Sequence, residues 1–594
     1  MLKRIVCASV GVAAWTVIAA GGISPQAELL GSVELSSFSD FQQKVVDLGT
    51  TINNPALALM AVPAAQNALT EACGKFRPND PILFLCYADT AALRKMLIDD
   101  EDVDDSVYPV LLYPCAEGPE KFLAAHPEAK KKDDGMIDLG KGNVLLFSSD
   151  GRTCAFSTNA RMAKRALAEA PFSKPAALFR LNVTEAGTGV LADLHQKLLD
   201  AQAKELQMPP QTGKETAALV ALLNALKNFQ MSIGRQQNAE LRSFASLTVD
   251  VDFDKAGFVV KGGAKAKAGV SVSPAAGFRL PAGALDLPPA GSPLIFASST
   301  CASFRNEGQF RSMMDGLASV LDTIPACVQG DAKCAAPVKG LCTAGRDLLK
   351  TVPVPAPTDW FMGALAFGPQ QEPYLVGHTV SAQASQSYAV ACRFCAAVAS
   401  SIEPTWPGIV RAKDASLTVN WFRLVDAIVE ASDPTPEDRQ VAEKAKKGLA
   451  AVVGGQESVF ASELTSPTTI RSYAWAKGFT PPAAAPSGEK NFAAALPEAA
   501  ADRPSAAFYL SLYSLVRDNI LPIVVKVAPK QKDKDEAQAL LSSLPPTGAN
   551  SAIAGASWID RDGARFAFRV TNEEIKNIAT AVSMMFGSAG KATK

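Results

Sequence analysis

Histidine is scarce in this chain of 594 residues. There are three, His126, His195 and His378, and no HExxH or other paired spacing joins them. A histidine-built metal centre therefore has no local signature. No GxSxG turn is present to lift a nucleophilic serine off a sheet. Phosphate loops are missing as well. Gly140-Lys141-Gly142 and Gly187-Thr188-Gly189 lack the third glycine of a dinucleotide fingerprint, and Gly590-Lys591 has neither strand before it nor helix after it. No cofactor, metal or catalytic residue is expected on these grounds.

An excess of either charge is also lacking. Lys and Arg total 58 against 59 Asp and Glu, a formal net charge of -1. Non-specific nucleic-acid binding rests on a basic field over phosphates, so a nucleic-acid partner is set aside. Beyond the first twenty residues no apolar run approaches the roughly 20 residues that a membrane-spanning helix needs, and the mature chain is expected to have no span. Cysteine is absent from the last third.

The front of the chain carries the clearest signal. Lys3 and Arg4 precede an apolar run from Ile5 to Ala20, with small residues at Ala19, Ala20 and Gly21. This is the order of charge, apolar core and small residues found in export signals, and it predicts removal of residues 1–27, with cleavage near Ala20 or Ala27. An uncleaved anchor fits less well, because the run is short and rich in Ala and Thr. Cys7 lies at the front of the apolar core, so a lipoprotein attachment is not expected. The expected location is periplasmic or extracellular.

Signal removal takes Cys7 and leaves ten cysteines in two blocks. The first holds Cys73, Cys86, Cys115 and Cys154, and the second Cys301, Cys327, Cys334, Cys342, Cys392 and Cys395. Export permits disulfides, so staples within each block are expected, with connectivity open. Buried free thiols are the alternative.

Hydrophobic content of 48% with 20% charged residues describes a folded globular protein, and 594 residues exceed a single core. Three Pro/Ala/Gly-rich stretches, 273–293, 352–358 and 480–504, read as linkers or surface loops. Between them a pattern recurs without residue identity. A short apolar strand opens each unit, at Ala177–Leu181, Leu294–Ala297, Leu417–Trp421 and Ala506–Leu510. Helices follow, such as the one whose face is Leu219, Leu222, Leu223, Leu226 and Phe229. Hairpins close the units, with Phe244–Val260 turning near Lys255–Gly257 and Ile553–Val570 turning at Asp562–Gly563. Thr571 and Glu574 form a capping-box pair before a final helix.

The expected fold is therefore α+β, built of tandem strand–helix–hairpin units whose antiparallel sheets are covered by helices on one face. The expected divisions are 28–172, strand-rich with four cysteines, then 173–272, 293–402, 411–480 and 505–594, with a Pro/Ala linker over 481–504. In the first division Ile82–Tyr87, Val110–Tyr113 and Val144–Phe147 read as strands.

Local candidates for chemistry each have a plainer reading. Ser487 and Lys490 make an SxxK inside a Pro/Ala stretch, where no helix is expected to hold them together. Cys392 and Cys395 form a CxxC within an apparent mid-helix segment, away from the helix N-terminus that would activate a thiolate. Cys327, Cys334 and Cys342 are spaced too widely for a zinc knuckle. The acidic run Asp99, Asp100, Glu101, Asp102, Asp104 and Asp105 lacks the spaced ligands and Gly turn of a calcium loop. Asp250, Asp252 and Asp254 alternate along a strand and share a face. Lys130–Lys132 is cancelled by Asp133 and Asp134. Trp360, Trp421 and Trp558 fall on expected strands and read as core.

The functional expectation is an exported, non-enzymatic binding or structural protein with a protein partner in the bacterial envelope. One rival is an exported hydrolase whose carboxylates meet only in three dimensions. Another is a periplasmic assembly factor or chaperone using a sheet edge or apolar groove. Intact-mass measurement on protein from its native host, with thiol labelling, should give a mass lacking the first 20–27 residues and fewer than ten free thiols. An intact Met1 with ten free thiols would remove the export and staple arguments together.

Overall fold

Strands with side chains alternating between two faces pair edge to edge, and within each unit here they do so in antiparallel register. The computed structural model describes residues 27–589, less 55, 74, 100–106, 133–134, 141, 170–173, 206–213, 290, 302–305, 329–331, 369–370, 432–434, 480–487, 529 and 549. The chain divides into two units. The first comprises residues 1–198 and 237–270, the second 199–236 and 271–594.

In the first unit the strands are β1 (Glu28–Leu35), β2 (Ile82–Ala88), β3 (Val107–Pro114), β4 (Lys130–Lys131), β5 (Ile137–Gly140), β6 (Asn143–Phe147), β7 (Thr153–Ser157), β8 (Phe179–Val183), β9 (Phe244–Asp254) and β10 (Gly257–Ala266). Their order across the sheet is β4-β5-β6-β7-β3-β2-β1-β8-β9-β10. The second unit has β11 (Leu294–Ser299), β12 (Trp360–Phe367), β13 (Pro373–Val380), β14 (Val410–Lys413), β15 (Ser416–Asn420), β16 (Glu457–Ser466), β17 (Thr469–Ala476), β18 (Ala506–Leu510), β19 (Ile553–Asp560) and β20 (Gly563–Thr571). Their order is β14-β15-β16-β17-β13-β12-β11-β18-β19-β20. Adding ten to each strand number of the first unit gives the order of the second. Both units thus fold on one topology, although their residues show no obvious identity.

The recurring element is a strand, two helical segments and a hairpin. β11 leads through helices Glu307–Cys327 and Ala332–Thr351 into the β12–β13 hairpin. β15 leads through Trp421–Ala431 and Pro436–Val453 into β16–β17. β8 and β18 open the corresponding runs before β9–β10 and β19–β20. The fold is α+β, as the alternation and hairpin signals imply. The sequence division at residue 411 misses that these runs merge into one ten-stranded sheet, because strands that pair across the sheet lie far apart in the chain.

Each sheet has a core on one face. In the first unit Leu83, Leu85, Tyr108, Val110, Leu112 and Ala155 pack against Met162, Ala163 and Ala166 of the helix Ala160–Glu169. In the second, Ile295, Ala297, Met362, Ala507, Tyr509, Ala554 and Trp558 pack against Leu280, Leu285, Phe492, Leu496 and Ala499. The last five residues overturn two linker readings. Gly488–Ala495 and Pro497–Ala501 are helices, and 273–293 carries a short 3-10 turn at Ala284–Asp286. Proline stops long elements but does not stop Leu, Phe and Ala from being buried, and these segments lid the sheet. Arg279 pins the first of them, pairing with Asp502 at 3.4 Å and Asp560 at 2.5 Å. Arg565 closes the ring at 2.6 and 3.0 Å to the same two carboxylates, and its hydrogen bond holds the Asp502 carboxyl below the usual carboxylate range.

Trp421 is not a strand residue. It opens the helix Trp421–Ala431, and its indole N–H donates to Ser458 Oγ at 2.8 Å. The capping box of the final helix, Asn572–Ala589, is only half formed. The Glu574 amide donates to Thr571 Oγ1, but the carboxylate turns away and accepts from the Tyr513 amide at 2.9 Å and from the Ser551 hydroxyl. The Thr571 amide is taken instead by the Ala552 carbonyl. Glu574 is fully buried, so tertiary contacts have replaced a local one. Replacing it, Glu574→Ala, leaves a buried amide unpaired and should cost about 3 kcal/mol of stability, read as a lower urea midpoint with unchanged slope.

Candidate functional site

The face opposite each core carries an apolar row and is only partly covered. In the second unit, antiparallel register places one residue from each of nine strands in a single cross-strand row. From β15 to β20 it reads Leu417, Phe460, Ala474, Leu375, Leu365, Leu294, Leu510, Ile553 and Val570. None is polar. Leu417 packs under the helix Ala384–Ile402 with Val398 and Ile402. The others belong to no buried cluster. Leu375 is 52% exposed and Phe460 41%.

The next row supplies aromatic rings. Gly377, Gly363, Phe296, Phe508, Gly555 and Phe568 follow one another across β13, β12, β11, β18, β19 and β20. A Cβ at Gly363 would collide with the Phe296 ring, and one at Gly555 with the Phe508 ring. The glycines let both rings lie along the sheet. Phe296 is 40% exposed and Phe508 36%, with Phe361 edge-on to Phe296 at 5.6 Å.

The first unit repeats this design. Its row from β5 to β10 is Ile137, Leu145, Phe156, Leu111, Phe84, Val33, Leu181, Val249 and Gly262. The first four lie in a cluster with Phe122 and Leu123 of the helix Pro119–Ala125, while Val33 and Leu181 are exposed. The reverse face of β1, β8 and β9 is polar there. Arg180 pairs with Asp250 at 2.7 Å, Lys44 with Asp252 at 3.1 Å, and Asn182 donates to Glu34 at 2.6 Å. Asp250 and Asp252 on β9 are thus ion-paired, and Asp254 accepts from the Ala256 and Gly257 amides of the hairpin turn.

A separate cleft of about 370 Å³ in the second unit is lined by Thr405, Trp406, Pro407, Ile409, Arg423, Asp426, Ala427 and Glu430. Arg423, Asp426 and Glu430 share one face of their helix. Asp426 is already paired with Lys446 at 2.5 Å, and Arg423 donates to the Pro407 carbonyl at 3.3 Å. No histidine lines this cleft.

The histidines stay apart. His126 pairs with Glu128 on an exposed turn, and His195 lies in the helix Glu185–Glu205. His378 sits on β13 opposite Arg471, where burial and then the guanidinium push its pKa down to about 4. Cys392 and Cys395 lie mid-helix within Ala384–Ile402, and burial raises the Cys395 thiol. Cys115 and Cys154, on neighbouring strand ends, are disulfide-bonded with Cα atoms 6.0 Å apart. Cys86, Cys301, Cys327, Cys342, Cys392 and Cys395 are free thiols, and burial raises Cys86, Cys301 and Cys342 as well, which keeps them protonated and poorly nucleophilic. The acidic run 100–105, Ser487 and the leader lie outside the described residues, as does the side chain of Cys73. Among the described residues no three His, Cys, Asp or Glu side chains gather to hold a metal, and no helix is long and apolar enough to cross a membrane.

Sequence reasoning missed the rows because they join strands separated by up to hundreds of residues. A usable signal was present: strands such as Leu294–Ser299 (LIFASS) are apolar on both faces, which asks for cover on both sides. Compared with protein-family models, curated proteins and solved structures, the chain matches none.

His378 provides a pH readout. Its folded pKa lies below the ordinary 6.5, so the unfolded chain binds the proton better. Stability should fall as pH drops from 6.5 towards 4 and this contribution should then level off. Melts of wild type and His378→Gln between pH 7 and 4 should show a shallower slope in the variant, and equal slopes would refute it.

Proposed function

We propose that this is an exported, non-enzymatic binding protein that works through the open apolar face of its sheets. The observation that carries the reading is the row from Phe460 to Val570 in the second unit, eight strands wide, uncharged and outside every buried cluster. Leaving a large apolar side chain half exposed forgoes about 1 kcal/mol of burial each, and a chain that concentrates this on one face has a use for it. The export half of the proposal draws on the leader and on the Cys115–Cys154 bond.

For the hydrolase alternative, the cleft at Trp406 is the described one that carries two carboxylates, Asp426 and Glu430. There Asp426 is neutralised by Lys446, which also holds Glu443 at 2.8 Å, so no free carboxylate pair with a proton donor is poised. The assembly-factor alternative shares the apolar face and differs only in what occupies it.

The polarity-sensitive dye 1-anilinonaphthalene-8-sulfonate tests the surface. Wild type should enhance its fluorescence, and the double variant Leu375→Asp with Phe566→Asp, the second on β20 on the face of Phe568 and Val570 and exposed, should lose most of the enhancement at unchanged melting temperature. Equal signals from both proteins would remove the proposal.

A further inference from the structure

We infer that the lid over the second unit's core holds a binding site for a small apolar carboxylate of about the size of benzoate. The site is separate from the open row and does not rest on reading that row as a binding surface. A cavity of about 150 Å³ lies within the lid, where the turn at 280–285, the helix Gly488–Ala495 and residues 503–504 meet. Its walls are tied. The Leu280 amide donates to the Pro504 carbonyl at 2.8 Å, and the Ser505 hydroxyl donates to the Phe278 carbonyl at 2.7 Å. Arg279, between these two bonds, is held by Asp502 and Asp560. Interiors close their voids where the surroundings can relax, and walls fixed on both sides relax least.

The lining selects the ligand. Leu280, Leu285, Phe492 and the prolines and alanines beside them offer only hydrocarbon side chains. An apolar cavity of this size takes up one benzene ring. Arg503 is the one charged side chain on the lining, and it is exposed. Among the described residues it has no carboxylate partner, since the adjacent Asp502 is shared between Arg279 and Arg565. A hydrocarbon pocket with a single unpaired guanidinium on its lining matches an apolar ring bearing one carboxylate, with the ring inside and the carboxylate on the fork of donors. A sugar would leave its hydroxyls unpaired against hydrocarbon, and a zwitterion would find no second charge on the lining. The small volume points to a free small molecule as the source.

The test titrates the full chain with benzoate and with its neutral isostere benzamide, followed by ligand-observed NMR. Wild type should bind benzoate saturably and at least about tenfold more tightly than benzamide, the advantage of one charge-assisted contact. Arg503→Gln, at an exposed side chain, should bring benzoate down to the benzamide level and leave benzamide unchanged. Ala493→Leu fills the cavity from a helix that accepts leucine, and should lose both ligands. Circular dichroism melts ensure that all three proteins are folded, and benzoate should raise the melting temperature of wild type but not of Ala493→Leu. No saturable uptake of benzoate would overturn the inference. So would equal affinity for the two ligands in wild type, which makes the cavity a packing void. A benzoate preference that survives Arg503→Gln, or undiminished binding in Ala493→Leu, would place the ligand elsewhere and also overturn it. The last overturning outcome is a doubled mass in light scattering that Ala493→Leu halves, which makes a side chain of a second copy the occupant.

Discussion

Antiparallel register is the constraint on which the rest of this protein depends. Once β11 pairs with β12 on one side and β18 on the other, the two-residue period of a strand decides the face of every side chain in the sheet. A slip of one residue would exchange Ile295, Ala297 and Tyr509 for Phe296, Ser298 and Phe508 in the core. The lid residues Leu280, Phe492 and Leu496 would then meet bulky rings where they now meet alanines. The alanine-rich core face and the phenylalanine-bearing open face are thus two readings of one register.

This division also accounts for the glycines that matter. Gly363 and Gly555 lie beneath Phe rings on the open face, and a methyl group at either would lift the ring from the sheet. Small residues under rings make a flat surface, whereas the mixture of alanines and large side chains under the helices makes an interdigitated one. The two faces are built for different neighbours. On the core side that neighbour is the chain itself, held by the Arg279–Asp502–Arg565–Asp560 ring.

Much of the local structure was legible. The opening strands, the hairpin at Asp562–Gly563 and the mid-helix setting of Cys392 and Cys395 follow from alternation, turn chemistry and helical periodicity. The errors share one cause. Local pattern puts Trp421 in a strand, 488–504 in a linker and Glu574 in a local cap, and in each case a distant partner decides otherwise: Ser458, the β11–β18 core and the Tyr513 amide. Propensity ranks local options by fractions of a kcal/mol, while burial of one Leu or Phe is worth about 1.5–3 kcal/mol.

Composition and order along the chain determined the α+β class, the hairpins and the scarcity of histidine, because these depend on residue type and short spacing alone. Tertiary structure decided that two units share one strand order, that Cys115 meets Cys154, and that nine apolar residues from distant strands form one row. The reason is physical: a cross-strand row is a property of register between segments, and no single segment contains it.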